Sequence, residues 1–138
     1  MIDSFLSVHP YDEMRGCVFF NISSDFNIFI ILHQGDGGGF VLEVSSLFIP
    51  QWVETSQIAS IARTIASVNA DIPFTILSFF PEYRMRDVPV PNLGEMIEVY
   101  NAARDAGLRR VKLGNLHLFV HTRAEYELLK EQVGLQGV

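Results

Sequence analysis

Two apolar runs, each closed by polar residues and a proline, constrain this chain more than any other feature: Leu42-Glu43-Val44-Ser45-Ser46-Leu47-Phe48-Ile49-Pro50 and Asp71-Ile72-Pro73-Phe74-Thr75-Ile76-Leu77-Ser78-Phe79-Phe80-Pro81-Glu82-Tyr83. A strand covered on both faces reads as near-continuous Val, Ile, Leu and Phe, whereas a strand with one wet face alternates. Both runs therefore predict buried parallel strands that deliver a loop at their carboxyl ends, and function is expected at those two ends. Between them Ile58, Ile61, Ala62, Ile65 and Val68 recur at helical spacing, so Thr55–Val68 predicts a helix with one face turned to a core. The unit is strand, helix, strand.

The pattern continues along the chain. Strands are expected over 40–49, 74–79 and 109–113, helices over 93–106 and 124–133, and 116–120 is a short apolar run in which Leu118-Phe119-Val120 reads as strand. Such alternation predicts βαβ units and a parallel sheet. Asn92 with Glu95, and Thr122 with Glu125, have the spacing of capping boxes, and Gly107 and Gly134 stand where helices stop. Upstream, the aromatic-rich runs 17–22 and 26–32 flank Ser23-Ser24-Asp25, the pattern of a β-hairpin. Gly35-Asp36-Gly37-Gly38-Gly39 then reads as a flexible joint. The expected organisation is an N-terminal segment, 1–39, and βα units over 40–138, together in one compact domain.

At 138 residues and 49% hydrophobic, with 11 phenylalanines, the chain is long and apolar enough for a substantial core. A net charge of −6 leaves little to neutralise phosphate backbones, which argues against a nucleic-acid partner. No apolar run approaches the roughly 18–20 residues of a bilayer span, and Met1-Ile2-Asp3-Ser4 lacks the positive start of a signal peptide. A cytoplasmic protein without membrane partners is expected. The one cysteine, Cys17, excludes an internal disulfide and any site needing several thiolates from this chain.

From Phe40 onward the residues resemble a family. The two strand-end segments, together with Phe79-Phe80-Pro81-Glu82-Tyr83-Arg84-Met85, Ala106-Gly107-Leu108 and Leu113-Gly114-Asn115, are similar in order to the C-terminal part of radical S-adenosylmethionine proteins related to pyruvate formate-lyase activating enzymes. The resemblance implies a partial (β/α) barrel, a half-barrel supplying the later strands. In the family three cysteines of a C-x3-C-x2-C loop hold a [4Fe–4S] cluster, and S-adenosylmethionine bound to its open iron is cleaved to a 5′-deoxyadenosyl radical. This chain has no such loop. The expectation is a C-terminal portion of such an enzyme, truncated or divergent and inactive alone, with S-adenosylmethionine and the cluster implied only for a complete protein. An arc of parallel strands leaves an edge and apolar surface uncovered, so the N-terminal runs, a second copy in a homodimer, or a separate chain completing the barrel is expected to cover it. The alternatives are a cluster-free module binding a small ligand and an oligomeric structural remnant.

The resemblance puts Glu43, Ser45, Ser78 and Phe80 forward as cofactor-binding residues. Glu43 has the chemistry to accept from a ribose hydroxyl or a substrate amine, and equally to pair with an arginine or face solvent. Phe79 and Phe80 have faces on which a purine stacks, and equally pack in a core. Gly114-Asn115 reads as a close backbone approach to a ligand or as an ordinary turn. Arg84, Arg86 and Asp87 form a charged loop, facing a carboxylate ligand or only solvent. His117, His121 and Glu125 have ligand spacing only on a continuous helix, which the cap at Thr122 interrupts, so no metal site is expected. The glycine run lacks the Lys-Ser/Thr of a phosphate loop, and nothing in sequence activates Cys17, so catalytic residues stay unassigned.

Overall fold

The structure, a computed structural model, describes residues 9–11, 17–21, 28–34, 40–50, 53–79, 87 and 89–138, those up to 41 through their backbone pairing. Among the described residues six strands and three helices follow in the order β1 (His9–Tyr11), β2 (Cys17–Asn21), β3 (Ile28–Gln34), β4 (Phe40–Phe48), α1 (Thr55–Val68), β5 (Phe74–Ser78), α2 (Leu93–Asp105), β6 (Val111–Gly114) and α3 (Arg123–Val133). The strands form one sheet in chain order. Strands β1 to β4 are antiparallel neighbours, while β4, β5 and β6 are parallel. The parallel pairs are the ones separated by α1 and α2, as a parallel pair requires a crossover rather than a tight turn. The chain is thus a mixed α/β fold with a three-stranded parallel sheet and three helices. The segments 23–25 and 35–39, read above as turn and joint, lie outside the described residues.

Local chemistry fixes the helix ends. Asn92 Oδ1 accepts from the Glu95 N–H (2.8 Å) while Glu95 Oε1 accepts from the Asn92 N–H (3.1 Å). Thr122 Oγ1 accepts from the Glu125 N–H at 3.1 Å, and the Glu125 carboxylate accepts in return from the N–H groups of Thr122 (3.3 Å) and His121 (2.6 Å). Helix α1 begins on a reciprocal arrangement the sequence reading did not single out, in which the Glu54 N–H donates to Gln57 Oε1 at 2.8 Å. Gly107, at φ 116, and Gly134, at φ 74, take the positive-φ conformation that follows α2 and α3.

One element differs from expectation. The apolar run 116–120 is not a strand: Leu116–Leu118 forms a 3-10 turn, with Leu118 N–H donating to Asn115 O (3.0 Å) and Phe119 N–H to Leu116 O (3.1 Å). Asn115 adopts the left-handed conformation (φ 58, ψ 44), which turns the chain out of β6 immediately. Five apolar residues carry no period long enough to override that turn.

Burial divides the parallel sheet into two unlike faces. Val44, Ser46 and Phe48 of β4, Phe74, Ile76 and Ser78 of β5, and Val111 and Leu113 of β6 are buried. Against them pack Ile58, Ile61, Ala62 and Ile65 of α1, Met96, Val99 and Ala103 of α2, and Leu129 and Val133 of α3. Each fully buried aliphatic or aromatic side chain there contributes about 1.5–3 kcal/mol. The opposite face alternates with it and stays half-buried or exposed. The strand register arranges that face in rows: Glu43, Pro73 and Arg110 at the amino end, then Ser45, Thr75 and Lys112, then Leu47, Leu77 and Gly114. All three helices therefore cover one side of the parallel strands. No helix among the described residues is long and apolar enough to cross a membrane.

Candidate functional site

The carboxyl ends of β4, β5 and β6 converge on one edge of the sheet. After β4 the chain folds back on itself, with Val53 N–H donating to Ile49 O at 2.8 Å and Ile49 N–H to Val53 O at 3.3 Å, and this fold-back places Glu54 at the start of α1. After β6 the left-handed Asn115 reaches across to β5, its Nδ2 donating to Ser78 O at 3.2 Å. A cleft of about 520 Å³ opens beside this edge, lined by Phe48, Pro50, Glu54, Thr55, Pro89, Glu95 and Glu98, among others. Glu54, Glu95 and Glu98 make it acidic, and among the described residues no cation lines it. Its chemistry suits groups that donate hydrogen bonds, although the Glu95 carboxylate is already engaged by the Asn92 N–H.

The sequence-predicted residues fall in different places. Glu43 lies in the middle of β4, on the face that no described helix covers, half-buried and engaged in a contact of its own. Ser45 follows on the same face one row on, beside Thr75. Ser78 sits at the carboxyl end of β5, opposite Phe48, but on the helix-covered face and fully buried. Five residues of strand, about 16 Å, separate the level of Glu43 from that of Ser78. Glu43 and Ser45 are thus brought together, and Ser78 stands apart from both. Phe80, together with Arg84 and Arg86, lies outside the described residues. Phe79 is in the core, 7% exposed. Gly114 has a packing reason: a Cβ there would collide with Leu77 Cδ2.

Two buried hydroxyls remain without a hydrogen-bond partner among the described residues, Ser46 Oγ and Ser78 Oγ. Both stand on the helix-covered face in the carboxyl-terminal half of the parallel strands. Among the described residues no group of His, Cys, Asp and Glu has the arrangement of a metal site. The Glu125 carboxylate is occupied at the start of α3, so it caps a helix rather than joining His117 and His121.

Thr75, Arg110 and Lys112 were not anticipated. Arg110 and Lys112 look like ordinary charges at a strand start, and only the register reveals that they share a face and rows with Glu43 and Ser45. The chain matches no family model, no curated protein and no solved structure.

Proposed function

We propose that this chain supplies the later βα units of a radical S-adenosylmethionine-type barrel of the pyruvate formate-lyase activating kind, and that it works only when a further N-terminal region or a separate chain supplies the cluster. The observation that carries this reading is the sidedness of the parallel sheet. Strands β4, β5 and β6 run in chain order with all three helices on one side, leaving the rows through Ser45 and Leu47 on the other. Parallel strands added in sequence with helices always outside build an arc of a (β/α) barrel, whose inner face is filled by side chains in layers. The resemblance carried by the residues from Phe40 onward supports the same reading, and the antiparallel pairing of β2 with β3 agrees with a hairpin ahead of it.

The cluster does not fit this chain. Three thiolates are required and the sequence has one cysteine, in β2. No chemical step is therefore assigned to these residues. The role left to them is to wall one side of a ligand space whose metal-bearing part is carried elsewhere. Candidate lining groups are Ser45 and Glu43 on the inner face, Ser78 at the carboxyl end of β5, and Phe80, two residues further on in the sequence.

Anaerobic reconstitution with iron and sulfide tests this directly. The purified chain alone is expected to retain neither in stoichiometric amount. A complex with a polypeptide bearing C-x3-C-x2-C, encoded beside it, is expected to hold about four irons and to cleave S-adenosylmethionine. A cluster held by this chain alone would overturn the reading, as would the absence of iron from every complex it forms. An adenosine-type ligand bound without iron would instead establish a cluster-free binding module.

A further inference from the structure

At the end of the sheet opposite the acidic cleft, the structure has the reverse charge. Beneath the amino ends of β5 and β6 lies a cleft of about 790 Å³, lined by Arg104, Arg109, Arg110 and Lys112, with Thr75 and Tyr100 among the other walls. Four of the chain's 10 lysines and arginines thus converge on one cleft in a protein of net charge −6. Two of them are occupied. Arg104 donates to the Arg109 carbonyl, and Arg109 pairs with Asp71 at 3.3 Å. Arg110 and Lys112 make no ion pair among the described residues.

These two are placed as a pair. Buried Val111 stands between them, so both point to the helix-free face of the edge strand, with Cα atoms about 6–7 Å apart. The register sets Thr75 beside Lys112, and Ser45 beyond Thr75 in the same row. Guanidinium offers a planar fork of donors, ammonium a compact point charge, and the hydroxyl a further donor. Together they match a compact dianion with several acceptor oxygens, for which a single carboxylate would leave one cation unanswered. Glu43 lines the far side of the cleft, two strands and about 10 Å from Arg110. Glu43 has a contact of its own.

We propose that Arg110 and Lys112, with the Thr75 hydroxyl, form a binding site for the phosphate group of a small soluble phosphorylated molecule. The site is at the amino ends of the parallel strands; Thr75 and Lys112 share a row with Ser45 on the face that the barrel reading makes the inner wall, so the titration below uses this chain by itself and is read apart from whether anything completes the barrel.

Calorimetric titration of the full chain with inorganic pyrophosphate at low salt tests it. Saturable binding is expected, weakening as salt is added. The Arg110→Gln/Lys112→Gln variant is expected to lose affinity about tenfold or more, and Thr75→Val less, while Arg63→Gln on α1 leaves it unchanged. Arg110 and Lys112 are exposed, so the double variant should melt as the parent does; if it does not, each single variant is titrated and must weaken binding by itself. No saturable binding, unchanged affinity in these variants, or an equal loss in Arg63→Gln would each overturn the proposal.

Discussion

Replacing Ser78 by alanine should stabilise this protein. Its hydroxyl is fully buried on the helix-covered face and has no hydrogen-bond partner among the described residues, so folding removes it from water without compensation. An unsatisfied buried polar group costs about 1–3 kcal/mol. The oxygen removed by Ser78→Ala leaves a void of roughly 15 Å³, which at about 24 cal/mol per Å³ returns a loss of about 0.4 kcal/mol. The hydrogen bond from Asn115 Nδ2 goes to the Ser78 carbonyl and survives the change. The net expectation is a gain of about 1–2 kcal/mol, or roughly 3–7 °C in Tm for a chain of this size. Chemical denaturation with the slope unchanged provides the assay. Ser46→Ala should behave alike, and the double variant should depart from additivity because the two sites lie in adjacent strands near one another. A loss of 1 kcal/mol or more on Ser78→Ala would show that the hydroxyl is answered in the folded protein, and the reasoning would fail.

Other perturbations follow from the same geometry. Gly114→Ala should cost about 1–3 kcal/mol because its Cβ meets Leu77 Cδ2, and much of that should return in the Gly114→Ala/Leu77→Ala variant, as read by a double-mutant cycle in urea. Asn92→Ala and Thr122→Ala should each lose about 1 kcal/mol by thermal melts, since each removes a reciprocal cap. Leu129→Ala, at a fully buried position that holds α3 to the core, should lose about 2–5 kcal/mol by denaturant unfolding. Asp71→Asn should change stability by less than about 1 kcal/mol, because the Arg109 pair is exposed on both sides.

The βα organisation was legible because long periodic segments carry redundant signals. Thr55–Val68 is a helix with the bounds its spacing predicts, and the boxes at Asn92 and Thr122 mark the starts of α2 and α3. The continuous apolar runs correctly predict parallel β4 and β5, but their second face is not covered by any described helix. Leu47 and Leu77 on that face are what made the runs read as buried on both sides. Leu118-Phe119-Val120 has the apolar pattern of a strand but is none, because one left-handed asparagine, Asn115, outweighs so short a pattern. The candidate site was harder to see. Which residues share a face depends on register, a relation between strands about 30 residues apart, and no local pattern in the chain encodes it. Hence Glu43 and Ser45 are neighbours on the same side, Ser78 stands on the other, and Thr75 and Lys112 joined the picture only with the pairing.

The central claim is that the helix-free face of β4, β5 and β6 is the inner wall of something larger than this chain. Light scattering behind size-exclusion chromatography, on the protein purified anaerobically from its native cell, measures that claim most directly. The account predicts an assembly of at least twice the 15.6 kDa of one chain, formed by a second copy or by an iron-bearing partner. A monodisperse, cooperatively melting species of 15.6 kDa that binds no hydrophobic dye would contradict it.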